Sequence, residues 1–266
     1  LVGDGWPVID GGGKGTVVSF KTAGGRLEGF VVRHSGNLLE KEDAGIAAEG
    51  RVALVGNRLE DVLLGIDLQT APESVVERNE IVGRDLDMAR RGDAMRLWES
   101  HRSVVRGNHV RRGRDLVVWY SQDVTVTDNV VEDSRYGLHF MYASGSHVQG
   151  NRLQRNLVAA YAMYSRDLVY RRNLLQGSYG SSGYGLALKD SDEITVEDNV
   201  IVGNRVGLYL DNSPAESGAV NAISANLIAY NDIGAAFMPA VKNNHLGGNS
   251  FVDNFQQVAL VTGGTF

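Results

Sequence analysis

In a chain without a single cysteine, three side chains carry soft or borderline donor atoms in a repeating context. They are His139 and Met141 in GLHFMY (137–142) and Met163 in AAYAMY (159–164). An imidazole with two thioethers suits soft Cu(I) and is a poor ligand set for Mg²⁺, Ca²⁺ or Mn²⁺. Methionines and aromatic rings in a stripe equally suit contact with another protein, because both present adaptable apolar surface. Either role requires the two segments to lie side by side, so the elements that position them come next.

The organising feature is a repeat of about 22 residues marked by Asn57, Asn79, Asn108, Asn129, Asn151, Asn173, Asn199, Asn226 and Asn249. Two residues after each asparagine the side chain is apolar: Leu59, Ile81, Val110, Val131, Leu153, Leu175, Ile201, Ile228 and Phe251. About eight residues after most of them a short segment opens, usually on Gly or Ala, as in GIDL, GLHF, GLYL and GAAF. Three longer stretches, RDLDMARRG, GSYGSSG and SPAESGAV, read as loops protruding from this period. Short alternating strands at a fixed spacing, with no helical pattern between them, predict an all-β right-handed parallel β-helix of about nine to eleven coils. Asparagine fits the recurring turn because it tolerates left-handed backbone and its amides can stack in a ladder.

Alternation then assigns side chains to the outside of the rod. One outward column is expected to run Asp67, Arg96, Val118, His139, Tyr161, Ala187, Tyr209 and Ala236. The column beside it is expected to run Gln69, Trp98, Tyr120, Met141, Met163, Lys189, Asp211 and Met238. Met141 and Met163 then sit on adjacent coils about 5 Å apart, with His139 on the same face. A solvated face normally carries Thr, Lys, Glu and Ser, so Trp98, Tyr120, Tyr161, Tyr209 and Met238 are expected to contact a partner. Lys189 and Asp211 are placed to form a cross-strand ion pair. His109, His147 and His245 read as exposed, and Asp190, Asp192 and Glu193 as a solvated turn.

Composition narrows the function classes. A net charge of −6 and a pI near 5.5 exclude a nucleic-acid surface. No run of apolar residues is long enough to span a membrane as a helix. The absence of cysteine removes disulfides and thiolate metal sites and fits a protein outside the cytosol. A carbohydrate-active β-helix enzyme or polysaccharide-binding module is the alternative, since this architecture often holds glycans. Catalysis of that kind needs convergent carboxylates, however, and Asp67 and Asp211 are expected about 30 Å apart.

The segments DGGGKGT (10–16), SRYGLHFMY (134–142), AYAMYSRDL (160–168), GYGLALKDSDEITVEDN (183–199), VGNRVGLYLDNSP (202–214) and AYNDIGAAFMPAVKNN (229–244) together resemble the NosD family. The resemblance covers nearly the whole chain with the motifs in order. It implies a non-enzymatic periplasmic accessory protein for maturation of the copper enzyme nitrous oxide reductase. Such a protein works with the membrane subunit and ATPase of an ABC transporter, receives copper from a small lipoprotein chaperone, and helps load the reductase. Because the family tends to be longer at both ends, residues 1–266 are expected to be one β-helix domain lacking terminal coils. The resemblance fixes no copper ligands; His139, Met141 and Met163 follow from alternation and donor softness.

Overall fold

The computed structural model describes residues 1–261, and these wind into a parallel β-solenoid. Its strands form three sheets of eleven, eleven and ten, and each strand pairs in parallel with its counterpart one coil on. Eleven coils are separated by ten steps of about 4.8 Å, which makes a rod of roughly 48 Å. The expected β-helix is the observed one. The second sheet carries the candidate site through Leu64–Gln69, Met95–Trp98, Asp115–Trp119, Tyr136–Met141, Val158–Met163, Tyr184–Lys189 and Val206–Asp211.

The asparagines form a ladder, but not by adopting the turn conformation expected of them. The left-handed residue is the one before each: Gly56, Arg78, Gly107, Asp128, Gly150, Arg172, Asp198, Ala225 and Gly248 all have φ between 51° and 68°. That kink turns the asparagine inward, and most of these side chains are fully buried. The Asn129 amide donates to Asn151 Oδ1 at 2.9 Å, and the Asn129 backbone N–H donates to the same oxygen at 3.0 Å. Asn129 Nδ2 also donates to the Val105 carbonyl at 3.0 Å. Each amide thereby satisfies backbone groups that the corner removes from the sheets, groups that would be costly to bury unpaired. A second, shorter ladder runs Asn204, Asn231 and Asn254.

Inside the rod, Leu68, Leu97, Val118, Phe140, Ala162, Leu188 and Leu210 stack in one column of the second sheet. Two of the three alanines of the Val158–Met163 strand, Ala160 and Ala162, make room for Tyr170, which is fully buried and edge-on to Phe140 at 6.2 Å. The small residue that opens these strands is a steric requirement. A Cβ on Gly137 would meet the Ala159 carbonyl oxygen at 2.6 Å, and one on Gly185 would meet that of Gly207 at 2.6 Å. The three predicted insertions are loops, the first containing a 3₁₀ turn at Met88–Arg90. Residues 34–43 form another, whose 3₁₀ turn Leu39–Lys41 ends at Glu42 in left-handed conformation.

Candidate soft-donor site and its face

On the outward face, register corrects one coil of the sequence reading. Arg96 pairs with Val117 and Val117 with His139, while Trp98 pairs with Trp119 and Trp119 with Met141. A register shift between Asp115 and Val117 moves the alternation by one residue. Val118, expected outside, is therefore buried in the core, and Trp119 takes the place expected for Tyr120. Tyr120 lies one residue past the strand in a left-handed turn, φ 48°, and is still 43% exposed. The other outward assignments hold: Met141 pairs directly with Met163, and both are half-buried.

His139 sits on the outside of the sheet yet is only 7% exposed, because neighbouring side chains cover it. Tyr136 meets its ring edge-on at 4.9 Å and Tyr161 stacks at 6.0 Å. Asp115 comes from the preceding coil, its Oδ2 lying 3.4 Å from His139 Nδ1. Arg135 holds that carboxylate from the other side, Nε to Oδ1 at 2.8 Å and an Nη to Oδ2 at 2.5 Å. Burial alone would raise the Asp115 carboxyl, but His139 and Arg135 bring it below its ordinary value, so it is an anion at neutral pH. An anion beside Nδ1 places the proton of a neutral imidazole there. His139 Nε2 faces Met163 Sδ, 3.4 Å away. That spacing lets one ion bond both atoms at lengths of about 2.0 and 2.3 Å.

The surrounding tyrosines are neutral covers. Burial, with a smaller contribution from nearby tyrosines, pushes Tyr161 far above the ordinary phenol range; Tyr209 is pushed up to about 12, mainly by burial. Tyr209 stacks on Tyr184 at 4.3 Å over Ala187, which is buried although it points outward. Beside this cover, Tyr120, Tyr142 and Tyr164 stack at 5.0 Å steps with nearly parallel rings. All three have left-handed backbone, φ 48–50°, and are exposed by 41–43%. Left-handed backbone is unfavourable for a bulky residue. Each stack contributes roughly 0.5–1.5 kcal/mol against that cost.

The remaining predicted residues divide plainly. Lys189 Nζ and Asp211 Oδ2 are 3.4 Å apart, the expected ion pair. Trp98 is half-buried beside Arg96, and Met238 follows the Ile233–Phe237 strand, five coils beyond Trp119. Asp192 accepts the backbone N–H groups of Ala215 and Glu216 at 2.7 and 2.9 Å, and Glu193 pairs with Arg166. Among the described residues no three His, Asp or Glu side chains converge to hold a metal ion.

Fold and face together define a parallel β-solenoid scaffold that displays imidazole and thioether donors under an aromatic cover. The chain belongs to the NosD family: the family described as "Periplasmic copper-binding protein (NosD)" matches residues 77–265. A relative from Pseudomonas aeruginosa, "Probable ABC transporter binding protein NosD", is 31% identical over 95% of this chain. The chain spans 62% of that relative's length. Among solved structures, the periplasmic alginate epimerase AlgG aligns with a TM-score of 0.69 at 12% identity, covering 91% of this chain and 61% of its own. The A-module of the Azotobacter vinelandii mannuronan C-5 epimerase AlgE6 aligns at 0.57 and 10%, covering 94% of this chain and 79% of its own. At such identities these two share the fold alone.

The sequence reading missed Asp115, Arg135 and Tyr136. A signal for the first two was present: aspartates followed one coil later by an arginine. Asp67–Arg96, Asp93–Arg114, Asp115–Arg135 and Asp133–Arg155 are all ion pairs.

Proposed function

We propose that this chain is a periplasmic, non-enzymatic copper-handling scaffold for nitrous oxide reductase maturation. It works beside the ATPase and membrane subunit of an ABC transporter, takes Cu(I) transiently from a lipoprotein chaperone, and passes it toward the reductase. Family membership supports the copper and periplasmic parts. The observation that carries the reading for these residues is the 3.4 Å approach of His139 Nε2 to Met163 Sδ beside Met141. The Asp115 carboxylate behind His139 is the second-layer partner that metal-bound histidines usually have. Half-exposed thioethers on a rigid sheet can exchange an ion with a docked protein, as a carrier must. Trp98, Tyr120 and Met238 supply contact surface along the rod, whereas Tyr161 and Tyr209 act mainly as cover.

Met141→Ala combined with Met163→Ala should weaken Cu(I) binding by roughly a hundredfold in competition with a colorimetric chelator, about 2.7 kcal/mol. Unchanged affinity in the folded double variant would remove these three residues from copper handling.

A further inference from the structure

A separate groove lies on the same face, toward the N-terminal end of the rod. Three adjoining cavities of about 220, 310 and 180 Å³ share Glu42 in their walls. They extend from Ser19 and Lys21, over the small side chain of Ala47, to Trp98 and Trp119. Those residues span five successive coils, so the groove is about 19 Å long at the strand spacing. Neither the soft donors nor the tyrosine ladder lines it.

Its floor is a hydrogen-bonded network. Arg96 donates to both carboxylate oxygens of Asp67, each at 2.8 Å, and its remaining nitrogen lies 2.8 Å from Glu42. Gln69 Nε2 donates to Asp67 at 2.8 Å and to Glu42 at 2.9 Å, leaving its own carbonyl oxygen free of these bonds. The network fixes carboxylate, amide and guanidinium groups against one another, and two indoles stand at its end. Charges along the walls cancel: Lys21, Lys41, Arg96 and Arg114 oppose Glu42, Glu49, Asp67 and Asp93.

We propose that this groove binds a neutral oligosaccharide, with pyranose rings lying on Trp98 and Trp119 and hydroxyls reaching Glu42 and Gln69. Aromatic faces joined to a few fixed polar groups are the composition of an orienting small-molecule site. The C–H faces of a sugar ring suit an indole, while its paired hydroxyls suit planar carboxylate and amide groups, each with spare lone pairs. Charge balance disfavours phosphorylated or polyuronate chains, which need uncompensated cations. An extended peptide would gain most from adding to a sheet edge. Here every strand of the groove from Ala44–Glu49 to Asp115–Trp119 is already paired on both sides. The length accommodates roughly three or four rings, so affinity should rise from disaccharide to tetrasaccharide.

The test is calorimetric titration of the full chain with cellotetraose, chitotetraose and maltotetraose, and with a tetrauronate as the charged comparison. At least one neutral tetrasaccharide should bind, more tightly than its disaccharide and than the tetrauronate. Trp98→Ala should weaken it by about tenfold or more, as loss of an aromatic anchor does. Gln69→Ala, which removes only a polar contact, should weaken it several-fold and serves if the tryptophan variant does not fold. The Met141→Ala/Met163→Ala variant should bind sugar normally, separating this site from the copper reading. No binding by any neutral tetrasaccharide at about 10 mM, tighter binding of the tetrauronate, or affinity unchanged in both groove variants overturns the proposal.

Discussion

Two clamps on one face of the rod use the same parts and end differently. At Arg96, two carboxylates and an amide close around a guanidinium, and every side-chain nitrogen of Arg96 and Gln69 has a partner. At His139, two coils further on, a carboxylate held by Arg135 meets one ring nitrogen and leaves the other facing sulfur. The first arrangement is held rigid without a ligand, and only its acceptor oxygens keep lone pairs to offer one. The second sets a ring nitrogen and a thioether sulfur 3.4 Å apart, a pair that a soft ion could bridge.

The largest difference between the clamps should appear in stability. Asp67→Ala leaves a mostly buried Arg96 with only Glu42, and breaking a buried pair costs about 3–5 kcal/mol. Denaturant midpoints should fall accordingly, while Cu(I) affinity of the folded fraction stays at the parent value. If copper binding fell in parallel, the clamps would not be separable. Asp115→Asn should show the reverse emphasis, lowering Cu(I) affinity by about 10–100-fold through loss of the tautomer-fixing partner. In that variant the His139 ring nitrogens should report a changed protonation pattern by ¹⁵N NMR even without metal. An unaltered pattern would make Asp115 merely structural.

The smallest effect concerns the acid between the clamps. Burial, then the charge of Asp115, raise the Asp93 carboxyl despite its ion pair with Arg114. A raised carboxyl means the folded protein binds more protons than the unfolded chain between about pH 3.9 and the folded value. Stability from this group is thus lost as pH rises through that window. Asp93→Asn should remove the loss, so the melting temperature of the wild type relative to the variant should decline as pH increases above about 4. A difference that grows with pH would contradict the assignment.

How much was legible follows from these same residues. The azimuth of His139, Met141 and Met163 could be read because alternation within a strand has period two and the asparagine spacing returns each coil to the same corner. Trp119 and Tyr120 were exchanged because a single register shift after Asp115 is invisible in hydrophobic alternation: Leu116, Val117 and Val118 are apolar in either phase. Glu42 belongs to a loop outside the repeat, so no periodic argument could bring it over Gln69.

The sequence alone determined the coil, its period, and the face to which most outward side chains belong. These follow from local alternation and from corners that bury an amide in every turn. Tertiary structure decided which atoms meet. It set Nδ1 against Asp115 and Nε2 against Met163, laid Tyr136 and Tyr161 over the ring, and closed Arg96 between two acids. The physical reason is one of scale. Periodicity places a residue only to within a strand position, whereas donor geometry depends on rotamers and on shifts of one residue between coils.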